Sequence, residues 1–206
     1  MPPQVRAQVV DIRADKPAQT DCFFVDTNAW YWLSYPRASQ TVVGPQSDKI
    51  KLYPAYIKLA RSAKAPLHCC ALTFAELAHN IEKAEWEIHA QQIGQKSDPK
   101  KFRHQYTGHR KQVVELIKDV WGEVLCMSTQ LDITLNGAFT SSALATFPTV
   151  VLDGYDLLIL EAMRQKGLTQ IITDDSDYAS VPGITIFTAN QTVVRAAQKA
   201  GKLIAR

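Results

Sequence analysis

The chain alternates short apolar runs with amphipathic stretches. Phe23-Phe24-Val25, Ala65 to Leu72, Gln170 to Thr173 and Ile184 to Thr188 each read as a buried strand. Between them, helical spacing predicts a helix from near Ala29 to Tyr35, broken by Pro36. Further helices are expected from about Lys49 to Ala63, with Pro54 marking an irregularity or an early boundary, and from Thr73 to about Ile88. A helix over Gln112 to Trp121 and an apolar run Val124 to Met127 follow, and then a weaker helical region from Asp132 to Leu144 that ends before Pro148. The helix containing Asp156 stops at Gly167, and a last helix runs from an Asn190 cap to about Ala200. Arg37 to Ser47 reads as a loop, with Ser47 or Asp48 as the next helix cap, and residues 89–111 are the least regular part. Strands alternating with helices predict an α/β fold with a mainly parallel central sheet between helical layers.

Two of the strands end on acids. Phe23-Phe24-Val25 runs into Asp26-Thr27-Asn28, and Gln170 to Thr173 runs into Asp174-Asp175-Ser176-Asp177. In an open α/β sheet, ligands bind outside the carboxyl ends of the strands, so two acidic strand ends suggest one site. Asp26, Thr27 or Asn28 equally fits the N-cap of the helix that follows. Two further acids sit in helical settings. Glu76 follows Thr73 at capping-box spacing, and Asp156 shares a face with Ile159, Leu160 and Met163, at the edge of a core-facing stripe. Asp156 also suits the first turn as a dipole-complementing acid, with Asp153 as a cap.

Taken in order, strand then Asp-Thr-Asn, Thr-x-x-Glu opening a helix, Asp-x-x-Ile within a helix, and Ile-Thr-Asp-Asp-Ser-Asp-Tyr after a strand resemble the PIN domain. That family consists of metal-dependent ribonucleases, and the likeness is greatest to the VapC-type toxins of toxin-antitoxin pairs. It extends over roughly residues 22 to 200. The resemblance implies a PIN-like three-layer α/β/α fold and a catalytic set of Asp26, Glu76, Asp156 and Asp175. It assigns metal ligation to Asp26, Asp156, Asp175 and Asp177, with Asn28 and Thr173 as polar support. It further implies an RNA substrate, an antitoxin partner and a homodimer. Asp174 adds an acid where the family more usually has a small residue, and the chain is longer than a typical toxin of the family.

Crowded carboxylates repel one another and call for a cation, and an all-oxygen donor set suits Mg²⁺ or Mn²⁺. Two other functions compete. One is a PIN-fold module that binds RNA or protein without catalysis. The other is a haloacid-dehalogenase-like phosphatase, which also begins with a strand-end Asp but normally carries a second Asp where Asn28 stands.

The 206 residues, 46% of them hydrophobic, suffice for one cored domain, read as 21–206 with insertions near 37–64 and 89–121 behind an N-terminal arm, 1–20. A net charge of +3 permits nucleic-acid binding without demanding it. The basic residues between Lys96 and Lys111, interleaved with Phe102 and Tyr106, suit a backbone-tracking RNA contact through Lys100, Lys101 and Arg103, or else form a solvated loop. Aromatics from Trp30 to Tyr35 offer packing or a partner surface. Cys22, Cys69, Cys70 and Cys126 lack framework spacing and read as buried free thiols. With neither a signal-like core nor a membrane-length run, a cytoplasmic location and no membrane association are expected.

Overall fold

The computed structural model describes residues 4–41, 48–94 and 98–206. Ser47 and Lys96, named above, lie outside the described residues. The fold is a three-layer α/β/α arrangement around a seven-stranded sheet. In chain order its strands are β1 (Gln8–Asp11), β2 (Phe23–Val25), β3 (Leu67–Cys70), β4 (Thr129–Leu131), β5 (Gln170–Ile172), β6 (Thr185–Thr188) and β7 (Leu203–Ile204). They lie in the order β4-β3-β2-β5-β6-β1-β7, and every pairing is parallel.

Period-two alternation splits the core into two halves. Val10, Phe23, Val25, Cys69, Ile172 and Phe187 face one side of the sheet, whereas Val9, Phe24, Cys70, Ile171 and Ile186 face the other. The first side is covered by α1 (Thr27–Ser34), α3 (Lys49–Ser62), α4 (Ala71–Gln92) and α6 (Thr107–Met127) through Trp30, Tyr53, Ile57, Leu77, Ile81 and Val124. The second is covered by α8 (Gly154–Gln165) and α9 (Gln191–Lys199), with α7 (Gly137–Thr146) packed on α8. Both faces being covered explains why the strands read as continuous apolar runs. Among the described residues two short α-helices, α2 (Ala38–Thr41) and α5 (Pro99–Gln105), and two 3-10 turns, Phe147–Thr149 and Asp177–Ser180, complete the helical elements.

The structure corrects several expectations. The expected arm supplies β1, whose Val9 and Val10 are buried between β6 and β7. A four-residue strand of which only Val9 and Val10 are buried is too short to carry a readable periodicity. The stretch 89–111 is mainly helical where it is described, with breaks at Ile93–Gly94, Asp98 and Tyr106. There α4 runs on to Gln92, Asp98 caps α5 by accepting from the Lys100 amide at 2.8 Å, and α6 takes in Val124 to Met127. The expected loop after Arg37 contains α2, and Pro54 sits inside α3. Trp30, Tyr31 and Tyr35 are core residues, so they offer no partner surface. Tyr35 donates to Glu85 at 2.6 Å. Of the free thiols, Cys69 and Cys70 are buried as expected, Cys22 is half-buried, and Cys126 is exposed. Among the described residues no single helix is long and apolar enough to cross a membrane.

Candidate active site

The connection leaving β2 leads to β3 on one side, and the connection leaving β5 leads to β6 on the other. The two loops diverge and leave a crevice at the carboxyl ends of adjacent strands, the place where open α/β sheets bind ligands. Four elements deliver acids there. Asp26 follows β2, Glu76 lies in the second turn of α4, Asp156 in the first turn of α8, and Asp175 follows β5.

Asp26 is both the helix cap and the floor of the crevice. As N-cap of α1 its Oδ1 accepts from the Thr27 amide at 2.7 Å, and its Oδ2 accepts from the Thr173 hydroxyl at 2.8 Å. The side chain is buried, and its pKa is pushed up to about 7, first by burial and then by the charges of Glu76 and Asp175. Thr173 is itself fixed, because its oxygen accepts from the Asp175 amide at 2.9 Å. Thr173 therefore ties the loop after β5 to Asp26.

Glu76 takes no part in a capping box. The α4 cap is Cys70, whose amide donates to Thr73 Oγ1 at 3.2 Å. Glu76 instead accepts from the buried Thr27 hydroxyl through Oε2 at 2.6 Å, and burial raises its pKa. Asp153 caps α8, accepting from the amides of Tyr155 and Asp156 at 2.9 and 3.0 Å. The Tyr178 phenol donates to Asp156 Oδ1 at 3.1 Å. Burial, followed by the charges of Asp26, Asp175 and Asp153, carries the Asp156 pKa up to about 8. The Asp177 amide donates to Asp175 Oδ1 at 2.8 Å, and burial together with the Asp175 charge raises the Asp177 pKa.

Asp26, Glu76, Asp156, Asp175 and Asp177 thus fall within electrostatic reach of one another, together with Asp153, which sequence reasoning placed only as a cap. Asp174, next in the chain, turns away. It pairs with Lys49 and accepts from Tyr53 at 2.9 Å, while Asn190 holds its carbonyl at 2.9 Å. Asn28 is half-buried on α1, and its side chain makes no hydrogen bond among the described residues. Lys100, Lys101 and Arg103 do not join the crevice. They lie on α5, which packs beside α4, and Arg103 pairs with Glu82.

Among the described residues none of the six crevice acids forms an ion pair. Each of Glu76, Asp156 and Asp175 has one oxygen held by a donor and the other without a protein partner among the described residues. No group of three or more His, Cys, Asp or Glu side chains among the described residues is already arranged to hold a metal ion. The donor set nonetheless fits a hard divalent cation, which binds through one or two carboxylates, keeps several waters and reaches further acids through them. The protein-family models scanned with this chain and the curated proteins searched with it contain no match.

Proposed function

We propose that the chain is a Mg²⁺- or Mn²⁺-dependent ribonuclease of the PIN type, hydrolysing phosphodiester bonds of RNA. The observation that carries this reading is the convergence of Asp26, Glu76, Asp156 and Asp175 from four separate elements, with no ion pair to any of them among the described residues. Carboxylates kept buried and mutually repelling destabilise a fold unless a ligand neutralises them. A bound divalent ion would supply an acidified water and charge neutralisation at the phosphate. Asp26, Asp156 and Asp175 would be its ligands, with Glu76 and Asp177 as further ligands or water-mediated partners.

The chain's own residues do the orienting. Thr173 and the Thr27 amide fix both oxygens of Asp26, so its carboxylate plane is set before any ligand arrives. Thr27 and Tyr178 hold one oxygen each of Glu76 and Asp156 and leave the other free to face a cation or its waters. With pKa values raised to about 7 and about 8, Asp26 and Asp156 are partly protonated near neutral pH, and both must ionise for the site to act, so activity rises as pH passes through those values. On the same reading the chain acts in the cytoplasm as the toxin of a toxin-antitoxin pair and forms a homodimer.

A second reading, a PIN-fold module that binds RNA or protein without cutting, is favoured by the lack of a ready-made ion site among the described residues. Incubation of purified protein with single-stranded RNA separates the two. Cleavage that requires Mg²⁺ or Mn²⁺, stops with EDTA and is lost in Asp156→Asn supports the nuclease. Binding without cleavage in any divalent ion supports the module.

A further inference from the structure

Away from the carboxylates, α4, α5 and α6 enclose a cavity of about 360 Å³. Its position along α4 separates it from the crevice. Glu85 on its wall lies nine residues beyond Glu76, about 13 Å along the helix axis at roughly 1.5 Å per residue. The volume falls within the range of small-molecule sites.

One wall is aromatic. The His89 ring packs against Tyr106 at 4.5 Å and His109 at 4.3 Å between centroids, with Phe102 at 5.4 Å. His89 is only 6% exposed, and its buried Nε2 has no hydrogen-bond partner among the described residues. Burial and the neighbouring His109 lower its pKa, so at neutral pH it is an uncharged ring. The opposite rim is polar but carries little net charge, because the Arg37 guanidinium is paired with Glu85, whose other oxygen accepts from Tyr35. The primary amides of Gln92 on α4 and Gln112 on α6 also line the space. Each amide offers a donor and an acceptor side by side.

These features select among ligand classes. An anion is disfavoured because the arginine is already neutralised. An aliphatic chain would leave the amides and the guanidinium unmatched. A flat heteroaromatic ring bearing its own donors and acceptors matches this lining, stacking on the exposed His109 ring and pairing with the amides, as unpaired bases do on proteins. We propose that this cavity binds an unpaired nucleobase, independently of the carboxylate crevice. The base has two possible sources, a free nucleotide or an RNA strand, and only the second rests on the nuclease reading.

The test titrates the four ribonucleoside monophosphates into the full chain by calorimetry, with ribose 5-phosphate as the control for sugar and phosphate. At least one nucleotide should bind where the control does not. The double substitution Gln92→Leu and Gln112→Leu, at two exposed positions, should weaken that binding at least tenfold while leaving the melting temperature unchanged. Asp26→Asn should leave it unaltered, whether or not the chain cleaves RNA. A short single-stranded oligoribonucleotide that displaces the nucleotide identifies a strand as the source of the base, and failure to displace identifies a free nucleotide. The proposal is overturned if no nucleotide binds at millimolar concentration, if ribose 5-phosphate binds equally well, if the double substitution has no effect, or if Asp26→Asn abolishes binding.

Discussion

Asp26→Asn keeps the shape of the most buried acid in the crevice and removes its charge. A rise in pKa from 3.8 to about 7 means that the ionised folded protein is penalised by about 4 kcal/mol relative to the unfolded chain. The folded state holds the proton more tightly, so this penalty is absent below the unfolded pKa near 3.8, grows as pH rises, and is complete above about 7. Asparagine avoids it. Its Oδ1 still accepts from the Thr27 amide, since Asn caps about as well as Asp. Its Nδ2 faces the Thr173 hydroxyl, which now donates to Asp26 and also accepts from the Asp175 amide. Reversing that donor leaves one hydroxyl hydrogen without a partner, a loss of about 1 kcal/mol. The variant should therefore be about 3 kcal/mol more stable than wild type in EDTA at about pH 8, a rise of about 6 to 12 °C in melting temperature. Loss of the Asp26 charge also relieves Asp156, which adds to the gain. At about pH 4 the advantage should vanish and the variant should fall level with or slightly below wild type. The assay is a series of thermal melts across pH in EDTA. A difference that does not vary with pH, or a variant less stable at about pH 8, would refute the placement of a charged, crowded carboxyl at this position.

Other expectations follow from neighbouring contacts. In wild type, Mn²⁺ should raise the melting temperature at about pH 8, and Asp26→Asn should respond less, because a weaker site contributes less binding linkage; equal responses would remove Asp26 from the ligand set. Thr27→Val deletes the donor to Glu76 at constant volume and should lower stability by about 1–2 kcal/mol along with the cleavage rate, read by melting and by RNA digestion. Tyr178→Phe removes the hydrogen bond that lowers the Asp156 pKa, so the onset of metal-dependent cleavage should move to higher pH; an unmoved pH-rate profile would show that Asp156 does not control it. Alanine at Lys100 and Lys101, with Arg103 left to its Glu82 pair, should flatten the salt dependence of RNA binding, and an unchanged slope would return α5 to a solvated surface.

The acids of the crevice were legible because a carboxylate at the end of an apolar strand is chemically conspicuous, and two such ends converge wherever β2 and β5 are neighbours. Their supports were less visible. Thr27 looked like a cap residue, and only the packing of α1 against α4 turns its hydroxyl toward Glu76. Asp153 and Tyr178 act on Asp156 from across a turn and from beyond β5, distances that local spacing does not report. Asp174 read as one more member of the acidic run. Lys49 and Tyr53 on α3 withdraw it from the cluster, and no pattern within the loop announces a partner so far away in the chain. The α5 start was readable in hindsight from Asp98-Pro99, a cap followed by a proline at the first helical turn, but the density of basic residues drew attention to charge instead of geometry.

The position of β1 governs how the molecule can be made. Its four residues bridge β6 and β7, so Gln8 pairs with Thr185 and Val9 with Leu203, contacts that join the two ends of the chain. During synthesis β1 must wait until β6 and β7 have emerged, while β2, α1, α3, β3 and α4 can assemble among themselves. Such long-range parallel pairing is slow to form. Until it forms, β6 presents an unpaired edge beside the completed half of the sheet, which is a template for association between chains. Aggregation during expression or refolding should therefore depend on residues 8–11, a segment on the other side of the sheet from β3 and β4 and remote from the chemistry of the crevice.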